Sequence, residues 1–309
     1  MKDLMAVVAG VFGRRYTQKQ KTSFMNYIGT RAQELGDKAV ADGLDQSGAS
    51  ACRNIYLGSL NHADFILTAP YDTPARTLFS GVGYYPLSPR KNMTWDSLSL
   101  VLSALLGTAL VVIYVLFVLR RFLSIGGTPM WLALAGMLAV SAAAFKLAAG
   151  TANRRNFSRN SASVVAALEY RKRYGKKVAV ALLDRSCCSY AGYRQLAERL
   201  GGLAQSKKIV ALDCIASGPE VHVHCGRLVG ELLEKAPWDD MNQLHILDGE
   251  PLERTILKLF PKGLLITGGS WKTGETVILN TRSGRDCEID LDKLDQTIEM
   301  LRDISERLK

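Results

Sequence analysis

Three aspartates close apolar runs in this chain. Asp72 follows Phe65-Ile66-Leu67-Thr68-Ala69-Pro70-Tyr71, Asp184 follows Lys177 to Leu183, and Asp213 follows Ile209 to Leu212. Apolar, β-branched runs that stop at polar or proline-rich corners read as buried strands ending in turns. In open α/β sheets the carboxyl ends of strands are where ligand chemistry is placed. Asp72, held in the corner Pro70-Tyr71-Asp72-Thr73-Pro74, is therefore a candidate site residue. A second candidate is His222-x-His224-Cys225. Strand alternation puts both imidazoles on one face, and Cys214 and Asp213 are near in sequence, so this cluster could bind a metal ion. No supporting residues are identifiable around it, and a half-buried strand face is the simpler reading.

Other reactive side chains carry less. Cys187-Cys188 beside Arg185 could form a redox-sensitive thiol pair, although buried cysteines more often act as small hydrophobes. Ser186 has no histidine at a spacing that would make it a nucleophile. Gly268-Gly269-Ser270-Trp271-Lys272-Thr273-Gly274 has a Lys-Thr pair but not the glycine spacing of a phosphate loop, and it reads as a hairpin turn.

The elements that position these residues alternate between helices and strands. Leu4 to Phe12 is apolar and is followed by Arg14-Arg15 rather than a small-residue cleavage site, so it reads as an amphipathic first helix. Lys19 to Leu35 carries Phe24, Tyr27, Ile28, Ala32 and Leu35 at helical spacing, with Gly36 as its stop. Arg53 to Leu57 and Asp64 to Ala69 read as neighbouring strands joined at Gly58 to Ala63, and Ala75 to Asn92 as an irregular connection. Asn160 is placed to cap a helix from Ser161 to Tyr174, stopped by Gly175. Further on, Tyr190 to Leu200, Gly226 to Lys235, Thr255 to Leu259 and Leu291 to Leu308 are expected to be helical. Lys177 to Leu183, Ile209 to Leu212, Pro219 to Cys225, Leu264 to Thr267 and Thr276 to Leu279 are expected to be strands. This alternation predicts an α/β body with a mixed central sheet flanked by helices.

A different signal interrupts it. Leu98 to Leu119 has no charge, and Pro129 to Ala149 contains only Lys146. Each run is long enough to cross a hydrocarbon core of roughly 30 Å. The short link Arg120 to Thr128, with Gly126-Gly127, makes them an antiparallel transmembrane hairpin. Ser103 and Gly107, and Ala135, Ala139 and Ala143, recur at four-residue spacing and would let helix backbones approach. Residues 1–93 and 153–309 would then form one domain around an inserted hairpin at 94–152. Arg90, Lys91, Arg154, Arg155 and Arg159 on the body side outnumber Arg120 and Arg121 in the link, which predicts a cell-membrane protein of two spans with a cytoplasmic body.

Over 309 residues the net charge is +10, which suits a body beside an anionic leaflet. The basic runs Arg171-Lys172-Arg173 and Lys176-Lys177 read as solvated surface; without interleaved aromatics or a known module, no nucleic acid is expected as a partner. Cys52, Cys187, Cys188, Cys214, Cys225 and Cys287 show no disulfide framework and no C-x-x-C pair, in keeping with a reduced compartment.

In order and spacing, Asn54-Ile55-Tyr56-Leu57-Gly58, Phe65 to Pro74, Asn160 to Leu168, Val178 to Gly192 and Ile209 to Gly218 resemble the di-zinc aminopeptidase family. That group includes leucyl aminopeptidases and glutamate carboxypeptidase-like enzymes, and the chain looks closest to its membrane-hairpin members. The resemblance spans nearly the whole chain and implies the zinc-peptidase fold. It also implies where five zinc ligands and a glutamate general base would fall. The first histidine falls at Pro70, the bridging aspartate at Arg159, and the adjacent glutamates at Ser186 and Cys187. Asp213 keeps a ligand position, the last histidine falls at about Asn280, and Asp72 keeps the place of the residue that orients the first histidine. Zinc must be held by imidazole and carboxylate while an open position activates water, and a guanidinium at Arg159 would repel it. The resemblance therefore implies a catalytically degenerate aminopeptidase homologue that binds a peptide or protein partner in its cleft. No cofactor is then expected. The alternative is an active metallo-aminopeptidase with a rebuilt site using Asp72, Asp213 and His222 or His224, in which case zinc would be required.

Overall fold

The computed structural model describes residues 1–43, 51–76, 81–175, 177–187, 189–235, 242–281 and 284–308. Helix α1 (Lys2–Met5) runs on as a π-helical turn to Val11. Helix α2 (Gln18–Glu34) starts in a capping box, with Thr17 accepting from the Gln20 amide and Gln20 reaching back to the cap. It ends before Gly36, whose φ of +68° lets the chain reverse. Strands β1 (Ala39–Ala41), β2 (Ile55–Leu57) and β3 (Phe65–Pro70) follow. Next come α3 (Pro89–Tyr114), α4 (Arg120–Ile125), α5 (Gly127–Ala148) and α6 (Ala162–Tyr174). The second half contains β4 (Val178–Leu183), α7 (Ala191–Leu200), β5 (Lys208–Asp213), β6 (Glu220–Gly226), α8 (Arg227–Leu233), β7 (Asn242–Leu247), α9 (Gly249–Glu253), β8 (Leu264–Lys272), β9 (Glu275–Val277) and α10 (Leu291–Arg307).

The strands make one mixed sheet in the order β1-β2-β4-β3-β5-β8-β6-β7, with β9 paired to β8. The core β4, β3, β5 and β8 are parallel, whereas β2 runs against β1 and β4, and β6 runs against β8 but parallel to β7. Every residue of β3 and β4 is buried, as expected of strands covered on both faces. One face packs Leu67, Val180, Leu212 and Ile266 against Phe24, Val165, Ile298 and Leu301 of α2, α6 and α10. The other packs Ile66, Ala181, Ala211 and Leu265 against Tyr193, Leu196 and Phe260. The α/β class and the mixed, helix-flanked sheet are as the sequence predicts.

Several details differ. β2 and β3 are not neighbours, because β4 lies between them, antiparallel to β2 and parallel to β3. The fully apolar β4 takes the doubly covered central place, and the Gly58 to Ala63 connection passes beyond it. Asn160 does not cap α6, since a π-helical turn already begins at Phe157 and Asn156 holds the N-cap position. β8 continues through Gly268-Gly269, and the turn is narrower, at Thr273-Gly274 between Lys272 and Glu275. Gly268 is required inside the strand, because a Cβ there would collide with the carbonyls of Ser217 and Cys214. β1, β7 and α9 were not expected. β1 and α9 are short, and β1 and β7 form the sheet's two ends.

The two apolar helices pack side by side as a hairpin inserted between β3 and α6. The first is longer than expected, continuous from Pro89 through a π-helical segment at Val115–Leu119 to Ile125. The reversal occupies little more than Gly126, with Gly126 and Gly127 at φ +73° and +65°. Ser103 and Gly107 face the partner helix as expected; a Cβ on Gly107 would press on Ala144. On α5 the packed face is instead Ala133, Gly136 and Ala144. The Tyr114 hydroxyl donates to the Ala133 carbonyl at 3.0 Å and lies over Gly136, while Ala135, Ala139 and Ala143 point outward.

Candidate functional site

The carboxyl ends of β3, β4 and β5 converge with the start of α6, and the side chains gathered there are tightly interlocked. Asp72, just beyond β3, accepts hydrogen bonds at Oδ1 from the backbone amides of Ser186 (3.0 Å) and Cys187 (3.1 Å), pinning the loop after β4 to the end of β3. The Asn160 amide donates to the Asp72 carbonyl. Pro70 ends β3 opposite Leu183, buried and without a donor atom in its side chain. The Ser186 hydroxyl donates to the Asp184 carbonyl at 3.0 Å, an arrangement that ties it to the main chain rather than to a base.

Arg159 lies at the centre of the cluster and is fully buried. Its guanidinium donates to the Cys187 carbonyl and, at 3.4 Å, to Thr281 Oγ1, and it covers the Tyr84 ring at 3.5 Å. The Tyr84 hydroxyl donates to Asp213 Oδ2 at 2.5 Å, and the Cys214 thiol lies 3.3 Å from Asp213 Oδ1. Burial pushes the Asp213 carboxyl upward from its ordinary range, and the Arg159 charge pulls it back. Asp286 receives the amides of Ser158 (2.8 Å) and Arg159 (3.1 Å), so it caps the start of the α6 segment. Burial raises its carboxyl to about 6 against those hydrogen bonds. Asn280 is exposed, in a left-handed conformation (φ +66°), and its neighbour Thr281 makes the contact with Arg159.

A second ion pair flanks this cluster. Lys21 Nζ, on the buried face of α2, meets Asp184 Oδ1, whose carboxylate also accepts the amides of Arg53 (3.1 Å) and Arg185 (2.8 Å). Burial works to lower the Lys21 ammonium, but Asp72 and Asp184 outweigh it and raise it. Arg185, at φ +49°, holds the left-handed conformation that non-glycine residues seldom adopt. It lines a cleft of about 630 Å³ together with Lys21, Asp72, Cys187 and the body end of α3.

The structure thus brings Asp72, Asp213, Arg159, Ser186, Cys187 and Pro70 to one edge of the sheet. It does not add His222 and His224 to them. β8 intervenes, since Asp213 pairs with Thr267, which pairs with His222. Both imidazoles are buried in a stack with His245 and Trp271. His222 Nδ1 lies 3.1 Å from His245 Nε2, and His224 Nε2 lies 3.0 Å from Thr276 Oγ1. Burial lowers all three imidazoles, His245 to about 4. Among the described residues, no group of three or more His, Cys, Asp or Glu is arranged to hold a metal ion. Cys188 lies outside the described residues, so the expected thiol pair has no described geometry; Cys187 itself is buried.

Lys21, Tyr84, His245 and Asp286 were missed by sequence reasoning. Lys21 had a signal, because it falls on the same stripe as Phe24, Met25 and Ile28, where a charge needs a buried partner. His245 and Tyr84 had none, lying on an unexpected strand and in an aperiodic connection.

No family model and no curated protein sequence matches the chain. Solved structures do. A Zn-dependent exopeptidase from Parabacteroides distasonis superposes with a TM-score of 0.56 at 12% identity, covering 98% of this chain and 97% of that one. Porphyromonas gingivalis glutaminyl cyclase gives 0.56 at 11% identity over 100% and 98% of the two chains. A leucine aminopeptidase precursor from Bacteroides thetaiotaomicron gives 0.54 at 12%, over 98% and 95%. The chain therefore has the α/β fold shared by these zinc exopeptidases and glutaminyl cyclases.

Proposed function

We propose that this protein is a membrane-anchored, catalytically degenerate relative of the zinc exopeptidases that acts by binding a peptide or protein segment. The observation that carries this reading is the buried Arg159 guanidinium at the point where the strand ends converge. It stands where the family resemblance puts a metal-bridging carboxylate, it has only donors to offer, and its charge is engaged with Tyr84, Asp213 and the Cys187 carbonyl. Pro70 adds no ligand, Ser186 no base, and Asp213 is held by Tyr84. This donor set does not fit a pair of zinc ions. Burial also removes Arg159 as a contact for a ligand's carboxylate; the cleft is lined instead by Lys21, Asp72, Arg185 and the base of α3, of which Lys21 and Asp72 are themselves largely buried.

The membrane anchor is supported by the hairpin's surface. Leu105, Phe117, Leu132, Leu138 and Phe145 are each more than half exposed. Each such side chain left in water forgoes roughly 1.5–3 kcal/mol relative to burial, which favours a lipid surround. The 37-residue helical run from Pro89 spans about 55 Å, more than a bilayer core, so its polar first turns belong to the body. The body is assigned to the cytoplasmic side by the basic residues at its base.

The reading is tested by metal analysis of the purified protein together with aminopeptidase and glutaminyl-cyclase assays in added zinc or cobalt. Sub-stoichiometric metal and no turnover are expected. Two bound zinc ions with turnover abolished by Asp213→Ala would overturn it.

A further inference from the structure

Arg14 and Arg15 are adjacent in sequence and have opposite fates. Arg15 is fully buried and donates to the carbonyls of Val8 (2.8 Å) and Phe12 (2.7 Å), which satisfies the end of the π-helical turn. Arg14 is exposed and, with Arg154, lines a cavity of about 460 Å³ that has no lining residue in common with the cleft over the strand ends. Among the described residues, neither the Arg14 nor the Arg154 side chain has a hydrogen-bond or ion-pair partner.

The two arginines come from distant parts of the chain and are brought together by specific contacts. Asn156, fully buried, donates to the carbonyls of Gly13 (2.9 Å) and Asn153 (2.7 Å), clamping the segment before Arg14 to the one before Arg154. A Cβ on Gly13 would collide with the carbonyls of Ala9 and Arg154, so glycine is what lets the two segments touch. Gln20, in the first turn of α2, also lines the cavity. Its side-chain oxygen accepts the amides of Tyr16 (3.1 Å) and Thr17 (3.0 Å), which leaves its nitrogen as a further donor. No Asp or Glu is among the described residues that line this space. Two guanidiniums thus share one cavity without a carboxylate, and an anion there relieves their repulsion.

Position and charge narrow the choice of anion. The Tyr16 hydroxyl, two residues after Arg14, lies 3.3 Å from the Ala149 carbonyl at the end of α5, so the cavity adjoins the foot of the hairpin. Val11, also in its lining, is 73% exposed and offers an apolar surface beside the two cations. A phosphomonoester carries roughly −1.5 to −2 charges near pH 7, closer to the two cations than the about −1 of a phosphodiester, and its terminal oxygens suit guanidinium forks. We infer that this cavity binds the phosphomonoester headgroup of an anionic membrane lipid, of which phosphatidic acid is the simplest, between Arg14 and Arg154. This rests on the membrane-anchored reading above and extends it by giving the foot of the hairpin a lipid ligand.

The test uses the full chain in nanodiscs of equal parts phosphatidic acid, phosphatidylglycerol and phosphatidylcholine, with retained lipid read by native mass spectrometry. Phosphatidic acid is expected to be enriched severalfold over both competitors. Arg14→Gln and Arg154→Gln should each remove that enrichment. Arg155→Gln deletes the same charge from a side chain that donates instead to the Gly284 carbonyl at 2.8 Å, and it should keep the enrichment. Because each readout is a ratio within one sample, partial misfolding does not mimic it. Equal retention of phosphatidic acid and phosphatidylglycerol, or the same loss in Arg155→Gln as in the other two variants, overturns the inference alone. A second arm adds glycerol 3-phosphate to the chain in detergent. A rise in melting temperature there, without phosphatidic acid enrichment in nanodiscs, assigns the cavity to a soluble phosphomonoester and overturns the lipid ligand. Failure to enter nanodiscs overturns the membrane reading and the inference with it.

Discussion

The guanidinium of Arg159 lies 3.5 Å over the ring of Tyr84, whose hydroxyl in turn holds Asp213 at 2.5 Å. Cation, ring and carboxylate thus form a series in a place shielded from water, where a cation–π contact is worth about 2 kcal/mol and an uncompensated charge costs more. Removing one partner of a buried charge pair costs about 3–5 kcal/mol. Arg159→Met is therefore expected to lower unfolding free energy by about that amount, measured by denaturant titration in detergent. Adding Asp213→Asn should restore much of the loss, because no buried charge is then left alone. Strictly additive losses in the double variant would mean that the two groups do not interact.

The seat of α7 gives a steric prediction. A Cβ on Gly192 would collide with the Asp184 carbonyl, Ser186 Oγ and Asn54 Oδ1, all parts of the β4 strand end or its support. Gly192→Ala should cost about 1–3 kcal/mol, the range for overpacking a tight contact. Gly202, a few residues beyond the same helix, faces open space without a positive φ, and Gly202→Ala should be nearly neutral. Comparable melting temperatures for the two variants would contradict the packing at the strand end.

Much of the sheet was legible because its strands are apolar runs closed by single carboxylates, and Asp72, Asp184 and Asp213 do stand at strand ends. Strand order was not, since nothing in Ile55 to Leu57 says that β4 will insert between it and β3. The site was legible only where it lies on regular elements. Tyr84 reaches Asp213 because its backbone pairs with Ile278, a contact between segments far apart in sequence. Asp286 likewise comes from a loop to cap the turn at Ser158. Arg159 is identified by its place in the chain, but its burial depends on Tyr84 and Thr281 arriving from elsewhere, which the sequence does not show.

The histidine stack predicts a pH dependence. Burial lowers His222, His224 and His245 below 6.5, His245 to about 4. Groups with lowered folded-state values bind fewer protons folded than unfolded, so stability rises with pH across the gap. It is complete above 6.5 and is lost as pH falls from 6.5 towards 4. Glu220, 3.2 Å from His222, opposes the shift at His222 and His245, whereas Lys293 adds to it at His222. Asp286, raised to about 6 from 3.8, has the opposite sign, gaining stability as pH falls across that interval. His245→Phe keeps a ring for Trp271 to stack on, at 3.9 Å in the native pair, and removes the titrating group. Its stability relative to the native chain should improve between pH 6.5 and 5 in urea unfolding; a pH-independent difference would refute the assignment.

The last prediction concerns the hairpin and the body it interrupts. The chain leaves and re-enters the body at adjacent points: Ala75 bridges Ala152, the Arg76 amide donates to the Thr151 carbonyl at 2.7 Å, and the Asn153 amide to the Pro74 carbonyl at 3.2 Å. The sheet takes strands from both sides of the insertion, and the packed contacts of α3 are chiefly with α5 rather than with the sheet. The hairpin should therefore be dispensable for folding but not for location. Replacing residues 98–149 by a short Gly/Ser linker keeps Tyr84 and the start of α3, and it should yield a soluble body with native-like far-ultraviolet circular dichroism and cooperative unfolding. In cell fractionation the full chain should pellet with membranes and resist carbonate extraction, and the shortened chain should not. A full chain that carbonate releases would count against membrane insertion. A shortened chain that stays soluble but does not unfold cooperatively would mean that the hairpin helps hold the body together.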